Sequence, residues 1–242
     1  MIRKILKEIN LPKNEIIFLH IKLKGLIKEQ SYTDLSRTII DNLIALYEPK
    51  TLLIPTFTYN FTKSQIYNRE ITPSEVGRFS EEVRQNFSSE HRTINPVFSV
   101  IDTHKYLNKF KLKELSAFNK DSVFSLLHLQ GHIILNINVD GLIGTYLHFL
   151  EFLFKVPYRY KKDFNGQIIT NNQIKKINFE YYVRDLNIDT TWNRKKIIEL
   201  LQKEGGRQEF KFGDLKISWS HSKNMDDILS PCLNENKNFF LT

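Results

Sequence analysis

The stretch IIFLHIKLKGLIKEQSYTDLSRTIIDNLIALYEPKTLLIP, residues 16–55, decides the architecture. Its opening run, Ile16 to Leu19, is continuously apolar, as in a strand buried on both faces. Leu35, Ile39, Leu43 and Leu46 then recur at helical spacing over 33–47, with Ser31 or Thr33 placed to cap the helix and Pro49 just past its end. Leu52, Leu53 and Ile54 form a second buried run, closed by Pro55. Strand, helix, strand in this order predicts a parallel pair joined by a right-handed crossover.

Outward from that unit, residues 2–9 predict a short amphipathic helix that stops before Pro12. HIILNINV (132–139) predicts another buried strand; Gly141 and Gly144 follow, then a helix from about 145 to 155. Asn165-Gly166, between two β-like runs, predicts the turn of a hairpin. Residues 193–204 predict an amphipathic helix ended by Gly205-Gly206, and the remainder reads as strand, helix and tail. The fold class expected is α/β: one domain over 1–242, with a mixed central sheet between helical layers and a late hairpin. Residues 56–94 show poor periodicity and are expected to be a loop-rich, functional region that supplies an acceptor site.

Composition narrows the function classes. Of the 242 residues 41% are hydrophobic, with 18 Phe and 10 Tyr, enough for a substantial core. The 35 basic and 27 acidic residues give a net charge of +8, which favours anionic partners or reflects a solvated Lys-rich surface. A nucleic-acid-binding module is compatible with that charge, but the basic residues are dispersed and no binding motif is present. One cysteine, Cys232, excludes an intrachain disulfide. No signal-peptide pattern and no run of ~18 uncharged apolar residues occurs, so a cytoplasmic protein without membrane contacts, monomer or homodimer, is expected. There is no P-loop and no GxGxxG. Only His128 and His132 lie at i,i+4, without the Glu of a zinc-binding helix, so no metal is expected.

The segment TYLHFLEFLFK (145–155) is apolar around most of a helix. Thr145, His148, Glu151 and Lys155 are spaced 3, 3 and 4 apart and fall on one face. A polar stripe on a buried helix is costly unless satisfied, so it faces either a hydrogen-bond network or a cleft. In a cleft, His148 would take a proton from a substrate and Glu151 would orient the ring.

Six blocks in shared order carry a family resemblance: LHIKLKG (19–25), TLLIPTFTYNF (51–61), TPSEVGRFSEEVR (72–84), HRTINPVFSV (91–100), DSVFSLLHLQGHIILNINV (121–139) and TYLHFLEFLFKVPYRY (145–160). Together they resemble the aminoglycoside 3-N-acetyltransferases, with their Pro-Thr-Phe stretch, Gly-x-x-x-Glu element and Thr-x-Leu-His-x-x-Glu helix followed by Val-Pro-Tyr-Arg. The resemblance covers residues 15–160 strongly and the rest weakly. It implies acetyl-CoA as co-substrate and His148, Glu151 and Thr145 as catalytic residues. The turn His20, Lys22, Leu23, Lys24, Gly25 would line the CoA site, with Arg92 and Ser99 around the pantetheine arm. Glu81, Phe57, Tyr59, Asn95 and Tyr158 would meet the acceptor. Two positions depart from the family: Lys22 replaces a Ser, and Asn95 replaces a His that precedes Pro96.

Amide formation from a thioester needs a base, a stabilised oxyanion and two aligned substrates. His148 is the base expected, and Thr145 or a nearby backbone N–H the oxyanion donor. Direct transfer is expected over an acyl-enzyme, because Cys232 stands apart from every block with no base beside it. Aminoglycosides are polycations, whereas this chain is basic and its 56–94 region balances Arg and Lys against Glu while carrying several aromatics. The acceptor expected is therefore a nucleotide-linked (dTDP- or UDP-) amino sugar used in surface polysaccharide, and the alternative is an aminoglycoside antibiotic.

Overall fold

Residues of each buried strand alternate between two apolar clusters, so one sheet feeds two cores. The structure, a computed structural model, describes residues 2–26, 31–113, 115–139 and 144–242; Gly141 lies outside these. The chain opens with helix α1 (Ile2–Glu8), strand β1 (Ile16–Ile21), α2 (Tyr32–Tyr47) and β2 (Thr51–Pro55). It continues with α3 (Phe61–Ser64), β3 (Ile66–Asn68), α4 (Arg78–Asn86) and β4 (Val100–Asp102). Then come α5 (Val123–Gln130), β5 (Ile133–Ile137) and α6 (Thr145–Leu153). The paired strands β6 (Arg159–Thr170) and β7 (Gln173–Arg184) precede α7 (Arg194–Lys203), β8 (Gln208–Phe212), β9 (Leu215–His221) and α8 (Ser222–Glu235).

The larger sheet has the order β4-β2-β1-β5-β9-β8, and a second sheet has the order β3-β6-β7. The three central strands are parallel: Phe18 pairs with Leu53 on one side and Ile134 on the other. The outer pairings are antiparallel, so the sheet is mixed, as the sequence predicts. Ser31 caps α2 by accepting from Asp34 N at 3.1 Å. Ile17, Leu19, Leu52, Ile54 and Leu135 point to the side covered by α1, α2 and α4. Ile16, Phe18, Leu53 and Ile134 point to the side covered by α5, α6, α7, α8 and the inner face of the β6–β7 pair. Fully burying each such side chain stabilises by about 1.5–3 kcal/mol, so the two faces together hold the layers in place.

The structure corrects two expectations. The hairpin exists, but Asn165-Gly166 is not its turn: both residues pair inside the strands, opposite Asn178 and Ile177. The chain reverses at Asn171-Asn172, whose φ values of 49° and 60° supply the left-handed pair that a two-residue hairpin loop requires. Gly166 serves close approach instead, since a Cβ there would stand 2.6 Å from Phe61 Cζ and 2.7 Å from the Gln65 carbonyl oxygen. Gly166→Ala is expected to destabilise by about 1–3 kcal/mol, because the backbone of α3's end cannot retreat from β6. Thermal melting checks this, and an unchanged midpoint would show that the contact yields freely.

The second correction concerns α6, which ends at Leu153; Lys155, with φ of 52°, lies beyond it and leaves the polar stripe. Residues 56–94 are loop-rich as expected, with the short elements α3, β3 and α4 set between the loops. Phe79 and Val83, four apart, are the apolar face of α4 and pack into the core beneath α2.

Candidate active site

Helix α6 positions the central residues. Gly144 precedes it at van der Waals distance from β5, its Cβ direction 4.0 Å from Ile134 Cδ1. The helix therefore starts beside Ile134, the second residue of β5, on the face of the larger sheet shared with α5 and α8. Thr145, His148 and Glu151 follow at intervals of three, each about 4.5 Å further along the axis. Tyr146, Leu147, Phe149 and Leu150 are buried in the core and fix the rotation of the helix.

Glu151 is wholly buried. Its carboxylate receives three groups: His148 Nδ1 lies 2.7 Å from Oε2, Arg159 Nε lies 2.6 Å from the same oxygen, and Trp192 Nε1 donates to Oε1 at 2.7 Å. Burial alone would raise the Glu151 pKa, but the hydrogen bond and charge of His148, the charge of Arg159 and the Trp192 donor outweigh it and hold the group below its usual value. Glu151 is accordingly an anion at neutral pH. The His148 ring packs against Trp192 with centroids 4.5 Å apart. Burial lowers the His148 pKa; Glu151 opposes that, while Arg159 and Arg194 add to it. The net lowering keeps the ring neutral at pH 7. Arg159 Nη2 also lies 3.0 Å from His148 Nδ1; because the ionised Glu151 can only accept, we assign the ring proton to Nδ1, which leaves Nε2 as the base nitrogen. The Tyr158 hydroxyl lies by Glu151, and burial followed by that charge raises its pKa.

His148 opens on a cleft of about 1110 Å³, lined by Tyr59, Lys63, Phe98, Arg159, Tyr160, Lys162, Tyr181, Arg184, Trp192 and Arg194 among others. This volume exceeds the roughly 300–1,000 Å³ of a small-molecule pocket. One wall comes from β6 and β7, another from the segment after β7, and a third from Tyr59 and α3.

Of the residues singled out from sequence, His148 and Tyr59 line this cleft, and Glu151 and Tyr158 lie behind His148. Phe57 is buried, packed edge-on against Phe98 at 5.0 Å. Asn95 is buried too; its Oδ1 accepts from Val97 N and Phe98 N at 3.1 and 2.7 Å, which shapes the turn after Pro96. Glu81 sits on α4, in the layer across the sheet from α6, and is held by Arg84 at 2.6 Å and Ser74 N at 2.8 Å. The structure does not bring these three to the cleft.

Arg92 and Ser99 also turn inward. The Arg92 guanidinium donates to Thr72 O at 2.6 Å, Thr56 O at 2.9 Å and Ser99 Oγ at 3.2 Å, and lies over the Tyr67 ring. It ties the 56–76 segment to the β4 strand. Arg92→Lys, which loses this planar fork, is expected to cost about 2–4 kcal/mol of stability. Melting together with acetyl-CoA titration checks it: an unaltered melting point with weakened CoA binding would reassign Arg92 to the ligand.

The turn after β1 is held by Asn138, whose Nδ2 donates to the carbonyls of Lys22 and Lys24 at 2.9 Å each; Lys22, Lys24 and Gly25 are exposed and Leu23 is buried. Beside it, His20 pairs across strands with Asn136. His20 Nε2 and Asn136 Oδ1 are both buried without a hydrogen-bond partner among the described residues, and burial lowers the His20 pKa to about 4. Unpartnered polar atoms near the carboxyl ends of β1 and β5 are what a ligand-binding surface presents. Cys232 is on α8, its thiol directed to Ile228 O and its pKa raised by burial.

Sequence reasoning gave no role to Arg159 or Trp192. Arg159 was within reach, as the last residue of the VPYR segment after α6. Trp192 stands in a polar, aperiodic stretch, and only its rarity as one of two tryptophans marked it.

No curated protein matches the chain in sequence. Among solved structures, YokD from Bacillus subtilis is 17% identical with a TM-score of 0.72, covering 98% of this chain and 93% of that one. AAC-VIa bound to sisomicin is 12% identical with a TM-score of 0.72, covering 99% and 97%. AAC-IIIb in a binary complex with CoASH is 15% identical with a TM-score of 0.71, covering 96% and 94%. At these identities the likeness establishes the fold. A family model for aminoglycoside 3-N-acetyltransferase matches residues 19–233, a range that contains all six sequence blocks and the α6 site, and the chain belongs to that family.

Proposed function

We propose that the chain, acting as one domain, transfers the acetyl group of acetyl-CoA to an amine of an amino-sugar acceptor, with His148 as general base. The observation that carries this is His148, whose Nδ1 lies 2.7 Å from the buried Glu151 carboxylate and whose side chain lines the cleft. The amine attacks the thioester carbonyl while His148 Nε2 takes its proton, the C–N bond forms, the C–S bond breaks, and that proton returns to the leaving thiolate. Glu151 stabilises the imidazolium formed in between. Thr145, one helical turn before His148, and the first N–H groups of α6 are our candidates for meeting the oxyanion. CoA fits the strand-end side: the 20–25 turn offers Lys22 and Lys24, and His20 and Asn136 offer unpartnered polar atoms. The neighbour in complex with CoASH supports this co-substrate.

For the acceptor, the family match and the neighbour bound to sisomicin favour an aminoglycoside over the nucleotide-linked amino sugar expected from sequence. One specific observation favours the anionic acceptor, the charge of the cleft. Release of CoA thiol from acetyl-CoA in the presence of each acceptor class tests the reaction. Absence of thiol release with either class, in protein that binds acetyl-CoA, would refute it.

A further inference from the structure

The cleft beside His148 has the wrong charge for a polycation. Lys63, Arg159, Lys162, Arg184 and Arg194 line it, and among the described residues no carboxylate does. Arg159 is neutralised by Glu151. Among the described residues the other four have no salt-bridge partner. The nearest acidic side chains of the same segment are turned to their own backbone: Asp185 accepts from Asn187 N and Asp189 from Thr191 N, each at 2.9 Å. Four unpaired cations around one concave surface create a field that draws anions and repels a substrate bearing several ammonium groups.

The cations come from separate elements. Lys63 is on α3, Lys162 on β6, Arg184 ends β7 and Arg194 begins α7. They converge only through the fold, so a Lys-rich surface is a poor account of them. Between them stand flat faces: Tyr160, 49% exposed, with Phe164, Tyr181 and Trp192 in the lining. Cations that can bind phosphate oxygens, set beside rings that can stack, suit a phosphate-bearing group with a planar base.

Resting on the acetyl-transfer reading above, we infer that the acceptor of this cleft is an amino sugar carrying a diphosphate, of the nucleoside-diphosphate class. Lys63, Lys162, Arg184 and Arg194 hold the phosphates while the sugar amine reaches His148. We place the CoA phosphates at the 20–25 turn, which is not part of the cleft lining, so the two anionic substrates do not compete for these four residues.

The test uses the intact chain, acetyl-CoA, UDP as a binding probe, and a panel of UDP- and dTDP-linked amino sugars beside gentamicin- and kanamycin-type aminoglycosides. UDP is expected to bind the wild type and to inhibit competitively against the acceptor and not against acetyl-CoA. Arg184→Glu and Arg194→Glu are each expected to raise the acceptor KM by roughly 10- to 100-fold, the loss of one charge-assisted hydrogen bond, with the KM for acetyl-CoA unmoved. Both side chains are exposed, so the variants fold. A KM for acetyl-CoA that rises instead would assign the cations to CoA and overturn the inference. So would turnover of aminoglycosides that Arg184→Glu improves, an outcome that leaves acetyl transfer itself standing. Failure of UDP to bind overturns the inference independently of any turnover.

Discussion

His148→Ala is expected to lower kcat by about 10²- to 10⁴-fold, the range spanned by positioned general bases. Nothing else in the cleft can replace it. The cleft tyrosines Tyr59 and Tyr181 have hydroxyl pKa values raised by burial, and Glu151 lies wholly inside behind the ring. Binding is expected to survive, because the His148 side chain is one-third exposed (33%) and makes no backbone hydrogen bond that holds α6. The acetyl-CoA KM should therefore change little while kcat falls, the pattern of an interaction made in the transition state. The pH profile gives a second readout. His148 works as a base only when neutral, and its pKa lies below the ordinary 6.5 through burial, with Glu151 opposing and Arg159 and Arg194 assisting. Activity of the wild type should thus fall only as pH drops below 6.5 through that lowered value, and the alanine variant should lack this limb. A variant with wild-type kcat would remove His148 from the mechanism.

Much of this arrangement was legible because helix and strand periods are read directly from apolar positions. The parallel core from β1, α2 and β2 follows from buried runs on either side of a 3.6-residue repeat, and the pairing of His148 with Glu151 follows from their spacing on one helix. Elements shorter than a full period were not legible: α3 and β3 have too few residues to show one. The hairpin turn was misplaced because Asn-Gly satisfies the same local rule as Asn171-Asn172; only the Phe61 ring and Gln65 carbonyl, distant in sequence, show why glycine stands at 166. Block resemblance located Arg92, Ser99 and Asn95 near a site in sequence, but could not tell a side chain that faces a ligand from one that holds the loop behind it. The cleft's cations were invisible for the same reason. Lys63 and Arg194 lie 131 positions apart, and only the β6–β7 pair brings them to one surface.

Glu151→Gln separates the two tasks that one buried carboxylate performs. Its volume is nearly unchanged and Trp192 Nε1 still meets an oxygen, so packing is kept. What disappears is the charge, together with the second acceptor oxygen that faces His148 and Arg159. Arg159, with only 10% of its side chain exposed, then stands in the interior without its anion, and an uncompensated buried charge costs about 3–5 kcal/mol. For a chain of this length each kcal/mol moves the melting point by about 2–4 °C, so a fall of roughly 6–20 °C is expected. Catalysis should fall as well, by about 10²-fold or more, because the imidazolium formed during transfer loses the anion that stabilises it and the ring loses the acceptor that fixes its tautomer. Either loss alone would permit a simpler view of Glu151, as a structural ion-pair partner or as a pure catalytic helper. The double variant Glu151→Gln/Arg159→Met distinguishes them, since it removes both buried charges and leaves an apolar side chain in place of the guanidinium. It is expected to regain most of the lost melting temperature and none of the lost kcat. Recovery of activity along with stability would make Glu151 a scaffold for Arg159 and leave His148 to act without an orienting carboxylate.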